Sequence, residues 1–85
     1  MPYYFCLHGD SQNANITEPG CFAVTDSKNR DWLCLKKDAG ESPDDITDLL
    51  TLHQLSHKQG FSSSGSLAAG VTCEESELPQ KLGEK

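Results

Sequence analysis

The chain has 85 residues, 35% of them hydrophobic and 24% charged, with a net charge of −6. That length allows one domain with a small core, and no apolar run approaches the roughly 18 residues that span a bilayer. An acidic balance disfavours nonspecific binding to nucleic acid or to an anionic membrane, which repel like charge, and leaves a basic protein surface as the suitable partner.

The charge is uneven. Residues 1–40 carry four Lys/Arg against five acids, and residues 41–85 carry three Lys against eight acids. The opening residues, MPYYFCLHGD, lack the basic segment and apolar stretch of a secretory leader, so a cytoplasmic location is expected. The four cysteines (Cys6, Cys21, Cys34 and Cys73) are widely spaced, with no CxxC, and in that compartment are expected as reduced thiols.

In chain order, YYFCLH at 3–8 is aromatic and apolar and predicts a first strand, with Phe5 and Leu7 on one face and Tyr4, Cys6 and His8 on the other. Residues 9–20 are rich in turn formers and predict a loop. CFAVTD at 21–26 and DWLCLKK at 31–37 predict a hairpin turning through residues 27–30. That pairing places Phe22, Val24, Leu33 and Leu35 with Phe5 and Leu7. Cys21, Ala23, Trp32 and Cys34 then join the opposite face.

Residues 43–59 predict the one long helix. Ser42 suits the N-cap, Pro43 the first helical position, and Asp44, Asp45 and Asp48 oppose the positive end of the helix dipole. His57 and Lys58 complement the other end, and Gly60 followed by Phe61 marks a Schellman-type stop. Ile46, Leu49, Leu50 and His53, extended by His57, share the stripe expected to be buried. SSSGS at 62–66 reads as a linker, 67–74 as a last strand, and 75–85 as an acidic tail that frays.

Together these segments predict an α+β fold: a small antiparallel sheet of three to four strands packed on one α-helix, in the order β-β-β-α-β, forming one domain over residues 1–74. A sheet with one helix has a second apolar face. Either a partner, a second copy of the chain, or its own segments 67–73 or 9–20 must cover it.

Few constellations promise chemistry. His53 and His57, four apart on a helix, have the spacing of a zinc-ligand pair, and Cys6 and Cys34 are further candidate ligands. Cys6 or Cys34 beside His8 is the one arrangement resembling a thiol nucleophile with a base. The acids at the helix start are explained by capping. The leading expectation is therefore a non-enzymatic, acidic protein-binding module without a cofactor. It would be an inhibitor or adaptor, of the kind phage anti-defence proteins exemplify, engaging a basic surface on a macromolecular partner. The expected contact residues are Glu41, Asp44, Asp45 and Asp48 with Tyr4 and Trp32, the acidic helix start being continued by the stretch Glu74, Glu75 and Glu77. A small zinc-binding domain and a cysteine-dependent enzyme are the alternatives.

Overall fold

A computed structural model describes residues 2–37 and 45–84, the side chains at 45, 46 and 63–67 excepted. Four strands, β1 (Tyr3–Asp10), β2 (Cys21–Thr25), β3 (Asp31–Lys37) and β4 (Ser62–Thr72), form one antiparallel sheet in the order β2-β3-β1-β4. Helix α1 (Asp45–Lys58) connects β3 to β4, which flank β1 and run parallel to each other. A 3-10 turn (Glu75–Glu77) and a short helix α2 (Leu78–Gly83) close the described chain. The α+β architecture and element order match the sequence reading, with α2 as an addition.

The sheet is covered on both faces. On one, Phe5, Leu7 and Leu33 pack with Leu52 of α1 and with Phe61, flanked by Tyr3, Leu35, Leu49 and two residues of the 11–20 loop, Ala14 and Ile16. On the other, Tyr4, Cys6, Trp32 and Cys34 pack with Ala69, Cys73 and the two leucines of α2, Leu78 and Leu82. This explains the opening sequence. A strand buried on both sides reads as a continuous apolar run rather than an alternating one, and Tyr4, Phe5, Cys6 and Leu7 are each no more than 5% exposed.

The expectation of a fraying tail is corrected here. Residues 75–83 are helical, and Leu78 and Leu82 are fully buried. Only two large apolar side chains occur in the segment, but they lie one helical turn apart and so reach the sheet together. Pro79 near the start of α2 costs no hydrogen bond there. The covering of the second face thus comes from α2, rather than from a partner or from the 9–20 loop, with Ala69 and Cys73 of the 67–73 segment contributing at its margin.

Three further expectations are revised. The 62–66 linker is strand backbone: Ser62 pairs with Asp10 and Ser63 with Gly9, beyond a register break between Leu7 and Gly9. The hairpin closes one residue tighter than expected, with Asp26 N–H donating to the Arg30 carbonyl and Asn29 in the left-handed region at φ 63°. A three-residue loop ending in a left-handed residue is a standard hairpin closure. The one-residue shift reverses the faces of β2. Phe22 and Val24 pack with Trp32 and Cys34, whereas Cys21 lies opposite Leu35.

Helix α1 is also rotated from the predicted stripe. Asp48, Leu52 and Ser56 face inward, while Leu50, His53 and His57 are exposed. Polar groups can line the inner side because each has a partner. Asp48 meets Lys37 Nζ at 2.8 Å, and the Ser56 hydroxyl donates to the His53 carbonyl at 2.8 Å. Gln59, just past the helix, accepts from the Thr17 and Glu18 amides and donates to the Leu55 carbonyl, pinning the loop. The helix stop is as expected. Gly60 has φ 79°, and the Phe61 and Gly60 amides donate to the Ser56 and His57 carbonyls. The expected cap residues Ser42 and Pro43 lie outside the described residues.

Candidate functional site

The residues singled out from the sequence do not come together as one surface. Tyr4 and Trp32, expected as partner contacts, are fully buried beneath α2, which corrects that assignment. Asp48 is buried in its ion pair with Lys37 and faces the sheet. Glu41 and Asp44 lie outside the described residues, and Asp45 opens α1 without a described side chain.

The metal and thiol candidates are separated in the same way. Cys6 and Cys34 oppose each other across β1 and β3 and are joined in a disulfide, which replaces the expected pair of reduced thiols. The bond leaves neither sulfur as a thiolate ligand or nucleophile. It lies on the α2 side of the sheet, whereas α1, with exposed His53 and His57, covers the other side. Among the described residues, no three His, Cys, Asp or Glu side chains gather as a metal site. His8 packs edge-on against Trp32, with ring centroids 5.5 Å apart.

The remaining thiols are Cys21 and Cys73. Burial raises both pKa values. At Cys21 a hydrogen bond with Gln59 opposes the rise and Glu18 adds to it. At Cys73 Glu77 adds to it, Lys81 opposes it, and Glu74 adds again. A raised thiol pKa diminishes the thiolate that nucleophilic chemistry needs.

The most developed polar cluster was not anticipated. Asp26, at the hairpin turn, is 5% exposed. Its Oδ1 accepts from the Lys28 and Arg30 amides at 2.9 Å each, and its Oδ2 from Arg30 Nε at 2.9 Å and the Trp32 indole N–H at 2.7 Å. Burial alone would raise the Asp26 pKa. The donors outweigh it, those of Arg30 and Trp32 foremost with the Lys28 amide behind, and hold the carboxyl at about 2. Arg30 also donates through Nη2 to the Leu82 carbonyl and lies 5.6 Å from the Trp32 ring centre. Ser27 N–H donates to the Pro79 carbonyl, and Gly83 sits so close to Ser27 that a Cβ there would collide with its side chain. The cluster therefore fastens α2 to the β2–β3 turn. Its sequence signal is Asp26, Arg30 and Trp32 at spacings of four and two. Those spacings can be read only once the turn length is known, because the carboxylate must curl back over its own hairpin.

Three exposed carboxylates gather at this end of the molecule, with Lys81 exposed beside them on α2. Glu74, Glu75 and Glu77 are all exposed on the 3-10 turn, which is carried on the anchored Leu78 and Leu82. Glu77 Oε1 accepts from the Glu74 amide at 3.4 Å. Beneath them the Tyr4 hydroxyl is buried with no hydrogen-bond partner among the described residues. Its pKa is raised by burial first, then by Glu75, Cys73 and Glu74. The arrangement is an acidic turn, anchored by Leu78 and Leu82, over a buried apolar layer. It can attract cationic groups, and no pocket opens among the described residues. No family model, curated protein or solved structure matches this chain.

Proposed function

We propose that this chain is a small, acidic, non-enzymatic protein-binding module that engages a basic surface on a macromolecular partner, as an inhibitor or adaptor does. The observation that carries the reading is the exposed run Glu74, Glu75 and Glu77 on a turn fixed by buried Leu78 and Leu82. Carboxylates held on a rigid turn pay less ordering entropy on meeting a cation than carboxylates on a frayed tail. The contact surface proposed from the sequence moves accordingly. Tyr4, Trp32 and Asp48 leave it, the three glutamates become its centre, and Glu41, Asp44 and Asp45 stay as candidates by sequence alone.

The Cys6–Cys34 disulfide weighs against the cytoplasmic expectation, because such bonds persist chiefly in oxidising compartments. The test compares the immobilised oxidised chain with its Glu74→Gln, Glu75→Gln, Glu77→Gln variant in capturing basic proteins from a lysate at low and high salt. Exposed pairs contribute a few tenths of a kcal/mol each. The triple change should therefore weaken a captured partner by about tenfold, and salt should weaken the wild type in parallel. Equal retention by both chains, insensitive to salt, would overturn the reading.

A further inference from the structure

The two edges of the sheet differ. Strand β2 is five residues long, follows Glu18-Pro19, and runs into the turn that α2 fastens. Strand β4 spans Ser62–Thr72, pairing regularly with β1 over 68–72 and, past a register break, at 62–63, and it carries no charge and no proline. It lies within residues 59–73, the longest stretch without Asp, Glu, Lys or Arg in a chain of net charge −6. Charge and proline are two ordinary guards of a sheet edge, and the 68–72 run of β4 has neither.

Its backbone orientation follows from the ladder. Cys6 and Cys34 face each other at a Cα separation of 4.1 Å, the close spacing of a non-hydrogen-bonded pair. Cys6 therefore turns its amide and carbonyl toward β4, where it meets Ala69. Strict alternation then points the amides and carbonyls of Ala69 and Val71 toward β1, and those of Ala68, Gly70 and Thr72 outward. The Cys73 amide donating to the Pro2 carbonyl has the parity this requires. Ala68, Gly70 and Thr72 are all exposed. The space above Gly70 is filled by the Tyr3 side chain, which a Cβ at that position would strike.

We propose that β4 is a dimerisation edge, pairing antiparallel with β4 of a second copy about a two-fold axis at Gly70 to make one continuous sheet of eight strands. The second copy is the occupant the charges select. Two molecules of −6 repel over most of their surfaces, and this uncharged strand lets them meet with no like-charge contact. Antiparallel self-pairing is also isologous, so one strand supplies both sides of the interface. About the Gly70 axis, Ala68 lies opposite Thr72 and Ala69 opposite Val71, all small enough for close approach. The dimer is independent of the acidic-turn reading, and salt separates the two. Screening strengthens association of like-charged copies and weakens binding of an oppositely charged partner.

The experiment is sedimentation equilibrium of the oxidised full chain over a concentration series, at low and high salt. The expected result is a monomer–dimer equilibrium that salt shifts toward dimer. The Ala68→Lys, Thr72→Lys variant should weaken it at least tenfold, although it lowers the net charge of each copy and so reduces general repulsion. The Ala68→Lys, Thr72→Glu variant sets opposite charges across the axis and should restore association. Both positions are exposed, and unchanged far-ultraviolet circular dichroism checks the fold. A wild type that stays monomeric at every concentration would overturn the proposal. So would a dimer indifferent to the double-lysine change, or one not restored by the Lys/Glu variant.

Discussion

Four donors converge on the Asp26 carboxylate, two from the backbone of its own turn and two from side chains that also touch α2 or line the core beneath it. At that density of donors the charged form is favoured despite burial, so protonation of this one group loosens the hairpin turn and the α2 dock together. The folded-state pKa of about 2 lies below the ordinary 3.8. The contribution is therefore complete above about pH 4 and is lost as pH falls through about 2, amounting to about 2 kcal/mol. Urea titrations of wild type and Asp26→Asn at neutral pH and at stepwise lower pH check it. The variant should be destabilised by about 3 kcal/mol at neutral pH, since it leaves Arg30 without its carboxylate, and should lack this acid-dependent loss. An identical pH dependence in both proteins would remove Asp26 from the account. Little of this was legible in the sequence. Asp26 read as a strand end and Trp32 as a surface aromatic, because an indole N–H hidden on a carboxylate leaves no periodic trace.

Legibility rises with the elements whose ends carry their own chemistry. The stop of α1 was readable because Gly60 and Phe61 encode the left-handed turn and its apolar contact locally. The rotation of α1 was not, because its inner side is set by distant partners: Lys37 for Asp48, and the loop amides for Gln59. The reversed faces of β2 trace to a single left-handed residue, Asn29, that shortens the loop. The Cys6–Cys34 bridge was likewise invisible, since pairing depends on register rather than spacing. That bridge ties β1 to β3 across 28 residues. On the loop-entropy model, closing such a loop stabilises by about 3–4 kcal/mol. Reductant should lower the urea midpoint by that equivalent, with Cys6→Ala, Cys34→Ala reproducing the loss and no longer responding to reductant. An unchanged midpoint on verified reduction would show that the bridge contributes nothing to stability.

For the whole molecule, the arithmetic of a small sheet explains the architecture. A four-stranded sheet buried on one face only would expose Tyr4, Trp32 and their neighbours, and so short a chain has few residues to spare for a second layer. The sequence raised that shortage and offered a partner, a second copy or the segments 67–73 and 9–20 as cover. The answer came from α2, in the 75–85 segment that composition marked as tail because its two leucines, at a useful spacing, sit among nine residues that are charged, polar, glycine or proline. With both faces sealed, the sheet offers a partner its β4 edge rather than a face, and the acidic turn rests on the layer that α2 closes. Trp32 is the single tryptophan and reports on it directly. The measurement is acrylamide quenching of its fluorescence in the oxidised full chain and in a chain ending at Glu77. A blue-shifted, weakly quenched Trp32 in the full chain, becoming red-shifted and readily quenched in the shortened one, is the predicted result. A readily quenched Trp32 in the full chain, or no change when α2 is removed, would contradict the claim that α2 seals the second face.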